Sequence, residues 1–255
     1  MRRHSLLFAA LLALSPSVGA LPSQPTAAPT LAEARELYTA RRDSDAQAAF
    51  DRLLTADPAN HEAVYHLGRL AIRRGDWKTA AERYERCTQI SPTNALYWAD
   101  LGEAYGKLVG KAGIFQQLGL AIKCRSALER AVELAPDELE YRHGLIEFYE
   151  KAPAIAGGGR DKALIEALKL GRRNPFDGAL TTGAIHTRAK NWAEAEAALR
   201  AAAVLRPEAP EPQVRLGQVL ARKGDRVAAK SAYEKALLLD PSSTEAAAGL
   251  KKLQE

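Results

Sequence analysis

The residues able to perform catalysis or bind a metal are few in this 255-residue chain, and their spacing suits neither task. His61 and His66 lie five residues apart in a predicted helix, so their imidazoles face directions about 140° apart and cannot share one zinc ion. His143 and His186 have no cysteine nearby, and the sequence holds no Gly-x-Ser-x-Gly elbow and no conspicuous acid pair. The sequence predicts a protein that is not an enzyme and uses no metal or cofactor.

The two cysteines are expected to be buried thiols. Cys87 and Cys124 occupy small-residue positions in successive helical units, and their positions along those helices differ by seven residues. That offset corresponds to about 10 Å of helical rise, whereas a disulfide joins Cα atoms about 4.4–6.8 Å apart. A disulfide is the less favoured alternative, although an exported protein could form one.

Three consecutive glycines, Gly157, Gly158 and Gly159, precede a predicted helix, where free amides and the helix dipole favour an anion. The alternative is that the glycines only let a tight loop fold back, with the neighbouring lysines solvated. The segment does not match a phosphate-binding P-loop. The side chains that could complete an anion site are Lys107, Lys111, Arg160 and Lys162, with Phe115 as an apolar wall.

The composition indicates that helices must position these residues. The chain contains 50 Ala and 34 Leu, aromatic residues make up only 6%, and β-branched residues do not alternate. Sandwiches, barrels and α/β folds with a parallel sheet are therefore disfavoured, and the predicted class is all-α.

A proline-terminated repeat organises the chain. Before each repeat proline stands a small residue, then a bulky or apolar residue four positions on, then a small or apolar residue three further on. Spacings of four and three define one face of a helix, and the proline ends that helix. The intervals between the prolines are 34, 44, 39, 32 and 34 residues, and the repeats end near Pro58, Pro92, Pro136, Pro175, Pro207 and Pro241.

A preceding helix in three repeats carries Leu-Gly, as in Leu67-Gly68, and the turn between the two helices contains Gly-Asp, as in Gly75-Asp76. This pattern resembles the tetratricopeptide repeat (TPR) family. The resemblance implies a right-handed solenoid of about six helix pairs over 31–255, with residues 244–255 as a capping helix.

Two intervals are longer than 34 residues. The extra residues fall within 106–119 and 151–160, both between the two helices of a repeat. Insertions at equivalent points of adjacent repeats project from one rim of a solenoid, so we expect these two loops to touch. Residues 149–163, with Ala152-Pro153-x-x-x-Gly157-Gly158, and the upstream Lys-x-Gly-x-Phe-x-x-x-Gly of residues 111–119 resemble a group of exported bacterial TPR proteins, over roughly 101–175. Some subunits that assist extracytoplasmic solute-binding transporters have a comparable Ala-Pro-x-x-x-Gly-Gly loop.

The first 20 residues are typical of a signal peptide. Arg2 and Arg3 precede nine apolar residues, Leu6 to Leu14, and Val18-Gly19-Ala20 ends in a small-x-small cleavage pattern. The apolar run is too short to span a bilayer. We expect export to the bacterial periplasm, a soluble mature protein without an integral membrane span, and a proline-rich tether over 21–30.

The first helices of a TPR array line its concave face, which is the expected partner-binding surface. Without residues 1–20 the formal charge is only +3 and evenly spread, which argues against a nucleic-acid partner. The expected partner is a protein or an extended peptide, acidic ones included; the alternative is an accessory role in envelope transport, binding a small ligand or lipid. The candidate partner-binding residues are Tyr65, Arg69, Arg73, Lys107, Lys111, Phe115, Lys151, Gly157, Gly158, Gly159, Arg160, Arg188, Gln218 and Arg222.

Overall fold

A computed structural model describes residues 29–254 and folds them into consecutive α-helices, with no strand in this range. The proposed signal peptide 1–20 and most of the tether 21–30 lie outside the described residues. The helices are α1 Leu31–Thr39, α2 Asp43–Ala56, α3 His61–Arg73, α4 Trp77–Ile90, α5 Ala95–Val109, α6 Ile114–Leu134, α7 Leu139–Lys151, α8 Arg160–Arg173, α9 Pro175–Arg188, α10 Trp192–Leu205, α11 Pro210–Lys223, α12 Arg226–Leu239 and α13 Thr244–Lys252.

The repeat prolines mark the ends of the second helices. Each of the six second helices, from α2 to α12, ends two residues before its proline. Many helices have an N-cap residue whose side chain accepts a hydrogen bond from a backbone amide of the first turn. Examples are Asn60, Asp76, Asp225 and Ser243. Local sequence therefore sets the helix boundaries.

The glycine of the Leu-Gly motif is a packing position. A Cβ on Gly68 would lie 2.6 Å from the ring of Tyr84, and one on Gly217 would lie 2.6 Å from the ring of Tyr233. The missing side chain lets the bulky residue of the second helix press against the backbone of the first helix. The same pairing holds for Gly183 with Leu199.

Each helix packs chiefly against the helices before and after it in the chain, from α1·α2 through α12·α13. The described structure is an all-α TPR fold of six helix pairs followed by α13. None of its helices is long and apolar enough to cross a bilayer.

The first inserted segment is mainly helix, so the expected loop over 106–119 is wrong. Helix α5 has 15 residues against 13 in α3, and α6 has 21 against 14 in α4. Only residues 110–113 separate α5 from α6. The segment contains no proline and favours helix through Gln116, Gln117 and Leu118.

The second inserted segment is irregular. Residues 152–159 join α7 to α8 and contain one 3₁₀ turn, Ala154–Ala156. The next linker is correspondingly short, because Asn174 alone separates α8 from α9 and Pro175 is the first residue of α9.

Both cysteines are buried free thiols, as the helical offset predicts. The Cys87 Sγ lies 3.5 Å from the His61 carbonyl oxygen, and the Cys124 Sγ lies 3.2 Å from the Gly102 carbonyl oxygen. Burial raises the pKa of each thiol to about 12, so neither is reactive near neutral pH.

Candidate functional site

A cavity of about 660 Å³ lies between the first helices of the fourth and fifth repeats, α7 and α9. The start of α8 closes one side, and Arg215 of α11 reaches it from the next repeat. Its apolar lining includes Ile146, Leu180 and Ala184. The polar lining residues are His143, Glu147, Glu150, Lys151, Arg160, Asp177, Thr181, Arg188 and Arg215.

The linker lengths place the first turn of α8 at this cavity. After the irregular segment 152–159, α8 begins at Arg160, and both Gly159 and Arg160 line the cavity. No side chain caps the amides at this helix N-terminus. Uncapped amides and the positive end of the helix dipole favour an anion there.

Most charges of the cavity are paired within the protein. Arg188 binds both carboxylate oxygens of Glu150, with its Nε 2.8 Å from Oε1. Lys151 pairs with Glu147 one turn earlier in α7.

Asp177, the remaining acidic residue of the cavity, also has a hydrogen-bond partner within the protein. Asp177 accepts a hydrogen bond from the Asn174 side-chain amide at 2.7 Å, and Arg215 pairs with Glu211 on its own helix. Arg160 is exposed and has no hydrogen-bond or ion-pair partner among residues 29–254. It is the cavity cation left available for a ligand.

The three glycines do not offer their own amides to an anion. The Gly157, Gly158 and Gly159 amides donate to the carbonyl oxygens of Ala154, Pro153 and Tyr149, at 2.8, 3.2 and 2.8 Å. A Cβ on Gly158 would lie 1.9 Å from the Ala152 carbonyl oxygen. The three glycine amides therefore fold the loop back on itself, and the amides left for an anion are those of the first turn of α8.

The second inserted segment packs against α6 through Arg125, which donates to the Ala156 carbonyl oxygen at 3.2 Å. A Cβ on Gly157 would lie 1.8 Å from the Arg125 Nη1. Phe115 lies ten residues earlier on α6, and its side chain is 98% exposed. The expected contact with Phe115 is therefore wrong, and Phe115 forms no wall for the glycine loop.

The lysines expected beside the glycine loop are dispersed. The Lys107 Nζ lies 5.7 Å from the centre of the Trp77 ring, and Lys111 is exposed in the linker between α5 and α6. The Lys162 Nζ donates to the Gly157 carbonyl oxygen at 2.9 Å and so helps to hold the loop closed.

The candidates in the second repeat form a separate group. Tyr65 donates to Asp100 at 2.9 Å, and the Arg69 Nη1 lies 3.5 Å from the same carboxylate. Arg73 pairs with Asp43, and its guanidinium lies over the Tyr38 ring at 3.6 Å.

The contacts from Tyr65 and Arg69 offset part of the cost of burying the Asp100 carboxylate. Burial raises the pKa of Asp100, and the same desolvation raises the pKa of Tyr65. Arg69 and Arg73 are thus partly or wholly occupied inside the protein, and neither lies at the α7–α9 cavity.

Of the predicted binding residues, the structure brings Lys151, Gly159, Arg160 and Arg188 to one cavity. Gln218 and Arg222 are exposed on α11 outside its lining. Glu150, Asp177 and Arg215 also line the cavity but are not among the predicted residues. Glu150 lies three residues after Glu147 on the same helical face, and that spacing is the sequence signal for it.

Among residues 29–254, no three His, Cys, Asp or Glu side chains converge in a metal-binding group. The cavity instead combines an apolar floor, an uncapped helix N-terminus and one unpaired arginine. That set can hold an apolar group and an adjacent carboxylate.

Comparison with known proteins identifies the repeats. Family models of the tetratricopeptide repeat match residues 31–95 and residues 210–243. A 67-residue segment is 33% identical to the protein "Essential for maintenance of the cell wall protein 1" of Saccharomyces cerevisiae. That segment is 26% of this chain and 7% of the yeast protein, so the chain matches only a small part of that relative.

The fold has solved counterparts. The structure of MamA from residue 41 to its end, from Desulfovibrio magneticus RS-1, is similar with a TM-score of 0.54 and 16% identity, over 72% of this chain and 97% of that one. Yeast Tom70 is similar with a TM-score of 0.54 and 17% identity, over 82% of this chain and 42% of that one. The chain is a tetratricopeptide repeat protein. Proteins of this class are generally non-enzymatic scaffolds for protein–protein interaction.

Proposed function

We propose that this protein is an exported, non-enzymatic scaffold that binds an extended segment of a partner protein along its concave face, with the α7–α9 cavity as the anchoring site. The observation that carries the proposal is the cavity of about 660 Å³ on the first helices, with Arg160 unpaired at its edge. First helices line the concave face of such arrays, where extended partners bind.

The charge of the site favours an acidic side chain or a terminal carboxylate. Lys151 and Arg188 are balanced by Glu147 and Glu150. Arg160 has no ion-pair partner among the described residues, and the first turn of α8 has no side-chain cap and one acid, Asp161. A carboxylate placed there would gain a charge-assisted hydrogen bond. Ile146, Leu180 and Ala184 would receive an apolar side chain next to it.

Selection from a random peptide library, followed by affinity measurement, tests this function. We expect selected peptides to carry Asp, Glu or a free C-terminus, and to bind the Arg160→Ala variant about tenfold more weakly, the usual effect of losing one charge-assisted contact. Lys235→Ala is the matched control, because Lys235 is an exposed base on α12 outside the cavity. Equal binding to all three proteins would refute the proposal.

The volume of the cavity also supports the alternative, an accessory small-ligand component of an envelope transport system. Small-molecule sites typically occupy about 300–1,000 Å³. Native mass spectrometry of the purified protein would then show a retained small molecule, which Ala184→Trp would displace by filling the cavity. A protein that shows only its own mass, and that binds the selected peptides, favours the scaffold.

Export rests on residues 1–20 of the sequence. We expect N-terminal sequencing of the secreted protein to begin at Leu21, and Leu11→Arg, which interrupts the apolar run, to retain the protein in the cytoplasm. A protein that keeps Met1 in the cytoplasm would contradict this part of the proposal.

A further inference from the structure

The N-terminal end of α6 projects from the repeat array without support. Residues 113–119, here called the α6 spur, are all exposed. Helix α6 is seven residues longer than the 14-residue α4, so the spur is the part for which the neighbouring repeats provide no packing surface. A projecting helix end is ordinarily polar, but this one is not.

The spur carries a stripe of exposed apolar side chains. Ile114 is 76% exposed and Phe115 is 98% exposed, and Leu118 and Ile122 continue the stripe at 37% and 39%. At about 100° per residue, these four side chains lie within an arc of about 100°. Exposed apolar groups clustered in this way mark an interaction surface.

The stripe lies beside the packed face of α6. Ala121 and Cys124 of the same helix are buried, and their directions are about 20° and 80° from that of Ile114. Phe115 points about 120° from Ala121 and about 180° from Cys124. The array therefore leaves Ile114 and Phe115, at the projecting end of the helix, largely uncovered.

The charged residues nearest to the spur in sequence are all basic. Between Glu103 and Glu129 the chain has no acidic residue, while it has Lys107, Lys111, Lys123 and Arg125. Lys123 pairs with Glu85 and Arg125 with Glu129. Lys107 and Lys111, next to the spur, have no acidic partner among the described residues.

The charge beside the spur favours one occupant. Lys107 and Lys111, which have no acidic partner among the described residues, complement an anionic surface. Helices with an aromatic and aliphatic stripe and adjacent lysines lie in the interface of anionic membranes. We propose that the α6 spur inserts Ile114, Phe115 and Leu118 into the interface of an anionic lipid membrane, with Lys107 and Lys111 at the headgroups.

This inference is independent of the proposed peptide site, which lies on α7, α8 and α9. A membrane contact through the spur would hold the array at a lipid surface without any membrane-spanning helix. Failure of the vesicle experiment below would leave the peptide proposal unaffected.

Flotation with lipid vesicles tests the proposal. The chain is used both complete and without residues 1–20, because the apolar N-terminus would itself bind lipid. We expect the shortened chain to float with vesicles of phosphatidylglycerol and phosphatidylethanolamine, to float poorly with phosphatidylcholine, and to be released by high salt. The double variant Ile114→Ser/Phe115→Ser is expected to bind at least about a hundredfold more weakly, because it loses two inserted side chains.

The controls are Val204→Ser and Leu238→Ser, which remove apolar side chains that are 77% and 83% exposed elsewhere. Circular dichroism should show the same helix content for all variants, because the spur supports no packing. Absence of binding by the shortened wild-type chain, or equal binding by the spur variant, overturns the proposal. A concentration-dependent dimer in sedimentation, lost in the spur variant and unaccompanied by vesicle binding, also overturns it in favour of a second copy of the chain.

Discussion

The turn between the two helices of a repeat contains a residue with positive φ, which is glycine in some repeats and a basic residue in others. Gly75 and Gly224 have φ of +73° and +92°, and Arg41 and Lys190 occupy the corresponding turns with φ of +60° each. The left-handed region costs residues with a Cβ about 1–2 kcal/mol and costs glycine little. The two basic residues therefore hold a conformation that glycine would adopt more readily.

This comparison predicts that Lys190→Gly stabilises the protein. Relief of the left-handed conformation, less the entropy that glycine loses on folding, leaves a gain of about 0.5–1 kcal/mol in the free energy of unfolding. Urea denaturation followed by circular dichroism measures it.

Gly224→Ala is the matched control, since a Cβ there meets nothing within 4 Å and only the backbone conformation is penalised. It should lose stability by a similar amount. A Lys190→Gly variant that is neutral or less stable would show that the turn is not strained.

At the scale of the elements, linker length decides how closely helices approach. Helices α8 and α9 are joined by Asn174 alone, and they cross at Gly171 and Gly178. A Cβ on Gly178 would lie 2.3 Å from the Gly171 Cα, whereas one on Gly171 would lie 3.5 Å from the Gly178 Cα, an ordinary contact. The crossing therefore needs glycine on one side only.

We predict that Gly178→Ala destabilises the protein by about 3 kcal/mol, because the two backbones must separate although their linker is short. Gly171→Ala should change the free energy of unfolding by no more than about 1 kcal/mol, and can raise it because alanine favours helix. Thermal and urea unfolding of the two variants measure the difference. Similar losses of stability in both variants would mean that the close approach of the α8 and α9 backbones at Gly178 does not determine the effect.

At the scale of the whole molecule, stability is distributed along one dimension. The packing consists almost entirely of contacts between successive helices, with α11·α13 and α5·α7 as short additional contacts. Interior repeats have neighbours on both sides, whereas α1 and α13 each close one end. Helix α13 covers Tyr233, whose ring would lie 2.4 Å from a Cβ on Gly249.

This arrangement predicts that the protein opens from its ends. Amide hydrogen exchange, read by mass spectrometry, should be faster in α1 and α13 than in α7 and α8 by about tenfold or more. The reason is that opening a terminal helix exposes one interface, whereas opening an interior repeat exposes two. Equal protection along the chain would show a single cooperative unit instead.

The sequence by itself determined the helices, their pairing and their ends. Prolines two residues after each second helix, amide-capping side chains such as Asp76 and Asp225, and the Leu-Gly positions all act within a few residues or within one helix pair. Local interactions of this kind are visible in the residue spacing. The fold class and the membership of the repeat family followed from them.

Only the tertiary structure decided what the irregular segments became and which charges stayed available. The extra residues before Leu120 extended α6 rather than forming a loop, and the proline spacing gave only the number of extra residues, not their conformation. The cavity arose where α7, α8 and α9 meet through unequal linkers, and ion pairing between repeats left Arg160 free while engaging Arg188. These ion pairs join side chains that are far apart in sequence, such as Arg188 and Glu150, which are 38 residues apart. The spacing of residues within one repeat carries no information about such pairs.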